Sequence, residues 1–337
     1  MKIAIIGIGA VGGVVAARLL AAGADVTLVA PGEQAARLRS NGLTLRRGPV
    51  EQTVPVPQVV PAAQVVRSLP RDFDLILIAT KSDAMPPAAE EAARHLSTNG
   101  VLLLLQNGLP EETAVLILPR RRILGAVVGW NAVRHDDHTV VLLQPGETVV
   151  GAAPRGSAAS VPAVVEALEP LGAVRATTNL PGVRWHKLAI NAVINPLTAI
   201  GGVPLGTTLA DRHARRLAIA VLREAVAVWQ ALGVSEEPLT NTPRLARLAA
   251  LPVPLQHLVL RVLAWRNRDV RPSMLRDVER GRTTEVRALN GEIVRLGRHQ
   301  GIETPANWAV VARIEAMEAG AEGPAPEAYR ELARSIP

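Results

Sequence analysis

The sequence predicts an α/β chain: an N-terminal Rossmann-type doubly wound sheet followed by an all-α C-terminal domain. Three observations carry this. Short apolar runs of strand length alternate with helical stretches up to about residue 180. Beyond that point strand signals vanish and long helical patterns take over. The 337 residues exceed what one ordinary core organises, so two domains are expected, residues 1–180 and residues 181–337.

Taken in order, residues 2–7 and "DVTLVA" (25–30) read as buried strands, with "GAVGGVVAARLLAAG" between them as a helix ending at Gly23. "DLILIAT" (74–80), "VLLLLQ" (101–106) and "ILGAVVG" (123–129) are further strands, separated by helical stretches that include 85–96. "TVVLLQPGETVVGAAP" (139–154) reads as an edge hairpin closing the sheet. The helical half is expected at 183–200, 211–232, 255–267, 273–298 and 305–319. A proline-rich segment (238–254) reads as a mobile loop, and the Pro/Ala/Glu-rich tail after Gly320 as peripheral. No internal repeat is visible.

Composition excludes several classes. With 48% hydrophobic and 20% charged residues, the chain is globular rather than disordered. It contains no cysteine, which removes disulfide frameworks and thiolate metal sites and fits a cytoplasmic protein. No metal ligand set is expected. The N-terminus "MKIAIIGIGAVGG" reads as strand and loop rather than a signal peptide, and no apolar run reaches the ~18 residues of a membrane span. Lys plus Arg number 37 against 30 Asp plus Glu, a net charge of +7. The basic residues are scattered, the longest run being Arg120-Arg121-Arg122, and aromatics make up 2% of the chain. That argues against a nucleic-acid stacking platform and for an Arg-rich surface that suits small anionic ligands. The expected partner is a small molecule, not a nucleic acid or a membrane. A homodimer stays open.

"GIGAVGG" places Gly7, Gly9 and Gly12 directly after a strand and at the start of a helix. Glycines at that spacing allow a tight turn and close approach of a pyrophosphate, whose charge sits at the helix N-terminus beside the amides of Ala10 and Val11. Residues 1–180 are therefore expected to bind a dinucleotide. The end of the second strand selects between dinucleotides, an acid for a ribose hydroxyl or a base for a 2′-phosphate. Here stand Ala30 and Pro31, neither of which does so. Arg37 and Arg39 on the next helix could reach a phosphate or be solvated charges, and Glu33 could favour NAD. Lys81 and Asn107, the latter within "QNG" (106–108), stand just past strand ends and are placed to line a crevice at the sheet's carboxyl edge. Asn131, after "AVVGW", reads as an ordinary loop residue.

In the helical half, "WHKLAINAVINPLTAI" (185–200) is apolar nearly all round, yet Lys187, Asn191 and Asn195 recur every four residues. Such steps advance about 40° each around a helix, so the three share one stripe. Buried ammonium and amide groups require partners. A second polar island is "RPSMLRDVERGRTTEVRALNGEIVRLG", where Gly281 ends one helix and Thr283 or Thr284 begins the next. Glu285 then falls on the face of Leu289, Ile293 and Leu296. A cation, a carboxylate and amides suit hydride transfer to a carbonyl, because the oxygen gains negative charge that a cationic acid can stabilise and protonate.

The chain resembles the ketopantoate reductase (2-dehydropantoate 2-reductase) family over most of its length. The resemblance rests on Gly7, Gly9 and Gly12, Lys81, "QNG", "WHKLAINAVINPLTAI" and "SMLRDVERGRTTE" (273–285). It implies NADPH-dependent reduction of 2-dehydropantoate to (R)-pantoate on the way to pantothenate and coenzyme A, with NADH as an alternative reductant. By the same resemblance Lys187 is the general acid and Glu285 holds the substrate hydroxyl and lies at the cofactor. Asn191 and Asn195 fix the lysine and substrate, Ser273 meets the carboxylate, and Lys81 and Asn107 sit near nicotinamide and substrate. Two departures stand out. Many members carry an arginine near the position of Pro31, and many carry an asparagine where this chain has Leu205. Rival readings are a paralogous reductase of another 2-oxo acid, a β-hydroxyacid dehydrogenase, and a non-catalytic dinucleotide sensor. A fourth, a nucleic-acid binder, is the weakest.

Overall fold

In the computed structural model of the protein, residues 1–65 and 69–336 are described. The chain divides into two compact units, Met1–Val183 and Arg184–Pro337.

The first unit opens with β1 (Ile3–Ile6), α1 (Ala10–Ala21) and β2 (Val26–Ala30). Next come α2 (Gly32–Asn41), β3 (Leu43–Arg47), β4 (Val50–Val54) and β5 (Gln58–Pro61). After β6 (Phe73–Ile78) follow α3 (Met85–His95), β7 (Leu96–Leu104), α4 (Glu111–Ala114) and β8 (Ile123–Val128). The unit closes with β9 (Asn131–Arg134), β10 (Thr139–Gln144), β11 (Thr148–Ala152), α5 (Val161–Ala167) and β12 (Val174–Thr177).

The main sheet has the strand order β12-β11-β8-β7-β6-β1-β2-β5. All its pairings are parallel except β11 with β8. Its strands are apolar on both faces because both faces are covered. Ile3, Ile5, Leu75 and Leu77 join one core with α1, while Ala4, Ile6, Ile76 and Ile78 join the other with α3. The chain leaves β1 for β2 on one side and returns to β6 on the other, so a switch point lies at the carboxyl ends of β1 and β6.

Two expectations change here. Residues 139–154 form no hairpin: β10 joins a second sheet of order β4-β3-β10-β9, and β11 joins the main sheet. Pro145-Gly146 resembles a hairpin turn in sequence, but the partner strands come from elsewhere in the chain, which local periodicity cannot reveal. Asn131 is not in a loop; it opens β9, opposite Gln144 of β10. The second sheet also explains the small residues of α1. Gly13 faces Val140 of β10, whose Cγ1 a Cβ at Gly13 would meet.

The second unit holds α6 (Leu180–Gly201), whose first four residues precede the division, then α7 (Leu205–Ala210), α8 (Arg212–Ala231) and α9 (Leu245–Ala250). It continues with α10 (Val253–Arg266), α11 (Ser273–Glu279), a π-helical turn (Arg287–Gly291), α12 (Glu292–His299), α13 (Pro305–Glu318) and α14 (Ala328–Ser335). Asp211 starts α8 by accepting from the amides of His213 and Ala214.

The segment 238–254 is not irregular throughout. It contains α9, whose first amides, Leu245 and Ala246, donate to Glu236. Glu236 also pairs with His186 of α6 at 2.9 Å. The tail is not peripheral either. Tyr329 of α14 is buried and donates to Leu197 O of α6 at 2.7 Å, and burial first of all pushes its phenol up to about 12. Its hydroxyl occupies the space a side chain at position 201 would need, which accounts for Gly201. No helix among the described residues is long and apolar enough to cross a membrane.

Candidate functional site

In the first unit the polar positions gather at the switch point. Gly7 has φ +95°, a left-handed value that favours glycine, and a Cβ there would meet Thr80 N at 2.8 Å. A Cβ at Gly12 would overlap Gly7 O. These two glycines are required by the protein's own backbone. Gly9 is different: a Cβ there would meet nothing within 4 Å. The space above Gly9 lies open in front of the N-terminus of α1, where Ala10 and Val11 stand half-buried. That open approach leaves room for the pyrophosphate of a dinucleotide. Gln34 of α2 is buried and donates to Ile8 O at 2.7 Å, holding the loop.

Beside this loop Lys81 is exposed and precedes a single 3-10 turn, Ser82–Ala84. Thr80 Oγ1 and Ser82 Oγ, on either side of it, are buried hydroxyl oxygens with no protein hydrogen-bond partner. Gln106 at the end of β7 donates to Ile78 O at 3.1 Å and Thr80 O at 3.3 Å, fastening the β6 and β7 ends together. Gly108 turns the chain at φ +78°, and Asn107 is half-buried between them. Of "QNG", the glutamine is structural and the asparagine is the residue presented. Thr80 and Ser82 were not singled out in the sequence, and Gln106 only as part of "QNG". A hydroxyl lacking a partner becomes visible only when its surroundings are known.

Beyond β2, Pro31 precedes α2 and adds no charge. Arg37 is exposed, with Nε 3.4 Å from Asp137 of the β9–β10 turn. Arg39 donates to Val59 O of β5 at 3.0 Å, which occupies its guanidinium with a backbone carbonyl.

In the second unit α6 carries Lys187 and Asn191, both half-buried, and Asn195, which is buried. Desolvation of the half-buried Lys187 ammonium takes its pKa down from 10.5 to about 8. Desolvation is the largest cause. The positive charge of Arg184, one turn earlier on the helix, lowers the pKa further, and the negative charge of Glu285 raises it. Glu285 thus acts electrostatically on Lys187, from a half-buried position just before the π-helical turn. Thr284 starts this helical segment, its hydroxyl accepting from Val286 N at 3.2 Å, after Gly281 (φ +60°) has ended α11. Leu289, Ile293 and Leu296 are buried below it. Ser273, the first residue of α11, is exposed. Arg184, buried beside Lys187, is a charge that reading the sequence missed; its position one turn before the lysine was the available signal.

Such a site can hold a proton on Nζ near neutral pH and pass it to an oxygen that gains charge. The sequence models of two ketopantoate reductase families match the chain: Ketopantoate reductase PanE/ApbA over residues 3–155, and Ketopantoate reductase PanE/ApbA C terminal over residues 179–318. A 2-dehydropantoate 2-reductase of Archaeoglobus fulgidus is 29% identical over 320 residues, covering 95% of this chain and 98% of its own. One from Pyrococcus horikoshii is 27% identical, covering 96% and 100%. Among solved structures, a PanE/ApbA family ketopantoate reductase from Ralstonia eutropha JMP134 superposes with a TM-score of 0.80 at 27% identity, over 95% of this chain and 99% of that one. A D-mandelate dehydrogenase solved with NADH and anilino(oxo)acetate shares the fold, with a TM-score of 0.81 at 21% identity over 95% and 99%.

Proposed function

This chain belongs to the ketopantoate reductase PanE/ApbA family, and from that premise we propose that it reduces 2-dehydropantoate to (R)-pantoate with NADPH, in the cytoplasm and as a step towards pantothenate and coenzyme A. It is an NAD(P)H-dependent 2-oxo acid reductase. Residues 1–180 are the dinucleotide-binding domain in this reading and residues 181–337 the substrate and catalytic domain. The observation that carries the mechanism is the placement of Lys187 on one stripe of α6 with Asn191 and Asn195, where desolvation lowers its pKa and the charge of Glu285 raises it.

A bound nicotinamide supplies the hydride. The open loop at Gly9, with the amides of Ala10 and Val11, would hold its pyrophosphate; Gly7 and Gly12 shape the loop, and Lys81, Asn107 and Glu285 would lie along the nicotinamide end. As the substrate carbonyl is reduced, Lys187 Nζ gives its proton to the carbonyl oxygen, and it regains a proton from solvent afterwards. The ammonium also stabilises the charge building on that oxygen before transfer is complete, and a desolvated setting strengthens this effect. Glu285 accepts a hydrogen bond from the substrate hydroxyl, and its negative charge raises the pKa of Lys187. Asn191 and Asn195, on the stripe of Lys187, orient lysine and substrate, and Ser273 meets the substrate carboxylate.

A second reading, reduction of a different 2-oxo acid by the same residues, is favoured by Leu205. That side chain is buried in the second unit and offers no hydrogen bond where many relatives carry an asparagine. The deciding experiment is a matrix of NADPH and NADH against 2-dehydropantoate and a panel of 2-oxo acids, followed by nicotinamide absorbance. The highest kcat/KM for NADPH with 2-dehydropantoate is the expected result. A higher value for a 2-oxo acid without a hydroxyl group replaces the first reading with the second, and cofactor binding without turnover on any of them ends both.

A further inference from the structure

Helix α6 is apolar nearly all round, and apolar packing has no direction. Trp185, for one, rests edge-on against Trp229 of α8, with ring centroids 6.4 Å apart. Contacts of this kind hold a helix in place but put little cost on turning it about its own axis. Side chains reach about 5–6 Å from a helix axis, so a turn of about 10° carries a side-chain tip about 1 Å. A shift of that size at a reacting group costs on the order of 100-fold in rate. The helix that carries Lys187 therefore needs directional bonds to set its rotation.

His186, one residue before the lysine, is fully buried and supplies two. Its Nδ1 lies 2.9 Å from Glu236 Oε1, and its Nε2 lies 2.7 Å from Thr242 Oγ1. Both partners are themselves held. Glu236 accepts from the amides of Leu245 and Ala246 at the start of α9, and the Thr242 hydroxyl lies 2.6 Å from Leu239 O. Further along α6, Tyr329 holds a backbone carbonyl, Leu197 O, ten residues past Lys187. His186 is a side-chain anchor directly beside it.

The protons of this anchor balance in either state of the ring. Glu236, which already takes two amides, is an acceptor, so Nδ1 carries a proton. In the neutral ring Nε2 is then an acceptor, and the Thr242 hydroxyl donates to it. In the charged ring Nε2 donates to Thr242 Oγ1, and the hydroxyl turns to Leu239 O. Both bonds of the ring survive the exchange. Burial is the largest influence on the imidazole and pushes it below its ordinary range; Glu236 opposes that shift, and the charge of Arg244 adds to it.

We propose that His186 is a positioning residue for the reaction: pinned between Glu236 and Thr242, it fixes the rotation of α6 and so the direction in which Lys187 points. The inference rests on the reading of Lys187 as the general acid. A purely structural histidine would contribute to melting and leave the turnover of the folded enzyme alone.

Kinetics at saturating substrate separate the two roles. His186→Leu should lower kcat by about 10–100-fold, while KM and the affinity for NADPH, read by its fluorescence, change by less than about threefold. His186→Asn places an amide donor near the position of Nδ1, keeps the bond to Glu236, and should recover most of the loss. Thr242→Val keeps the buried volume, removes the second bond, and should fall between the two. Because His186 acts through Lys187, His186→Leu/Lys187→Met should be no slower than Lys187→Met alone. Folded single variants that turn over at the wild-type kcat, whatever their melting temperature, overturn the proposal. So do losses that multiply in the double variant, or a His186→Asn protein as slow as His186→Leu. If His186→Leu does not fold, Thr242→Val, alone and combined with Lys187→Met, decides in the same way. Wild-type turnover in Lys187→Met alone would overturn the reading of the general acid, and this proposal with it.

Discussion

Asn290 Nδ2 donates to Ala192 O at 2.9 Å, and Ala192 O is the carbonyl that Pro196 leaves without a helical partner. A proline inside a helix lacks the N–H that would bond the carbonyl four residues back. Asn290 supplies that hydrogen bond from the fully buried end of the π-helical turn. It also donates to Asn307 Oδ1 at 3.0 Å, and Asn307 donates in turn to Glu224 at 2.7 Å. Burial is the main reason that the Glu224 carboxyl titrates above its ordinary range. The helix of Lys187 and the segment that follows Glu285 are thus tied through one amide.

Asn290→Leu is expected to destabilise the fold by about 1–3 kcal/mol, because Ala192 O is left buried and unbonded. It should also lower kcat, since the two segments carrying Lys187 and Glu285 lose their tie. Pro196→Ala restores an N–H to Ala192 O. In that background Asn290→Leu should be less damaging, and a denaturation cycle over the four proteins measures the difference. Fully additive effects would show that the amide does not serve the carbonyl freed by the proline.

Replacing Lys187 by methionine should have opposite effects on activity and stability. Loss of the proton donor is expected to reduce kcat by ~10²–10⁴-fold. The folded-state pKa of about 8 lies below the unfolded value of 10.5, so folding penalises the charged amine. The unfolded chain binds more protons between those values, which means the penalty is full below pH 8 and fades as pH rises to 10.5. Lys187→Met should therefore stabilise the protein at pH 7 by on the order of 3 kcal/mol, and the gain should shrink through that window. Melting curves at pH 7 and pH 10 with kcat on the same samples decide this. A folded variant with wild-type turnover would remove the lysine from the mechanism.

The pH profile carries a sign. If protonated Lys187 is the acid, kcat for reduction should fall above about pH 8, by tenfold per unit in the limit. Glu285 raises the pKa of Lys187. Glu285→Gln should accordingly move the basic limb to lower pH and raise KM, the latter by ~1–3 kcal/mol in substrate binding for substrates bearing the hydroxyl. A limb that stays in place in Glu285→Gln would detach the carboxylate from the titrating group.

Legibility in the sequence tracks how local each signal is. β1, the glycine loop and α1 follow from residues within one turn of one another, and the Lys187 stripe follows from a single helix period. The second sheet was invisible. β10 pairs with β3, about a hundred residues earlier, and its sequence shows a hairpin-like turn whose two strands part company. The Pro/Ala/Glu-rich tail reads as solvated from composition alone, yet one aromatic, Tyr329, anchors it to Leu197 O. Asn290 shows the same limit for the candidate site. Its role depends on a proline in another helix, and no spacing rule connects positions 196 and 290.

The cofactor preference depends on Arg37 and Asp137. Arg39 is held by Val59 O, which leaves Arg37 as the residue on α2 able to turn towards a 2′-phosphate, and in the protein alone its Nε faces Asp137 at 3.4 Å. An exposed pair of this kind is worth ~0–1 kcal/mol. A charge-assisted bond to phosphate is worth ~1.5–3 kcal/mol, so the phosphate should win the competition with a margin reduced by the carboxylate. NADPH is then preferred over NADH by roughly one to two decades in kcat/KM at most. Asp137→Asn frees the guanidinium and should raise the NADPH/NADH ratio by up to several-fold. Arg37→Ala should bring the ratio close to one, and Arg39→Ala should change stability of the α2–β5 contact more than the ratio. The measurement is kcat/KM for both cofactors in the four proteins at one ionic strength, since screening alters all the charge terms together. A ratio unchanged in Arg37→Ala assigns the phosphate to another residue, and a wild-type ratio below one assigns selection to Glu33, in the first turn of α2, where it would accept from the ribose hydroxyls of NADH and repel a phosphate.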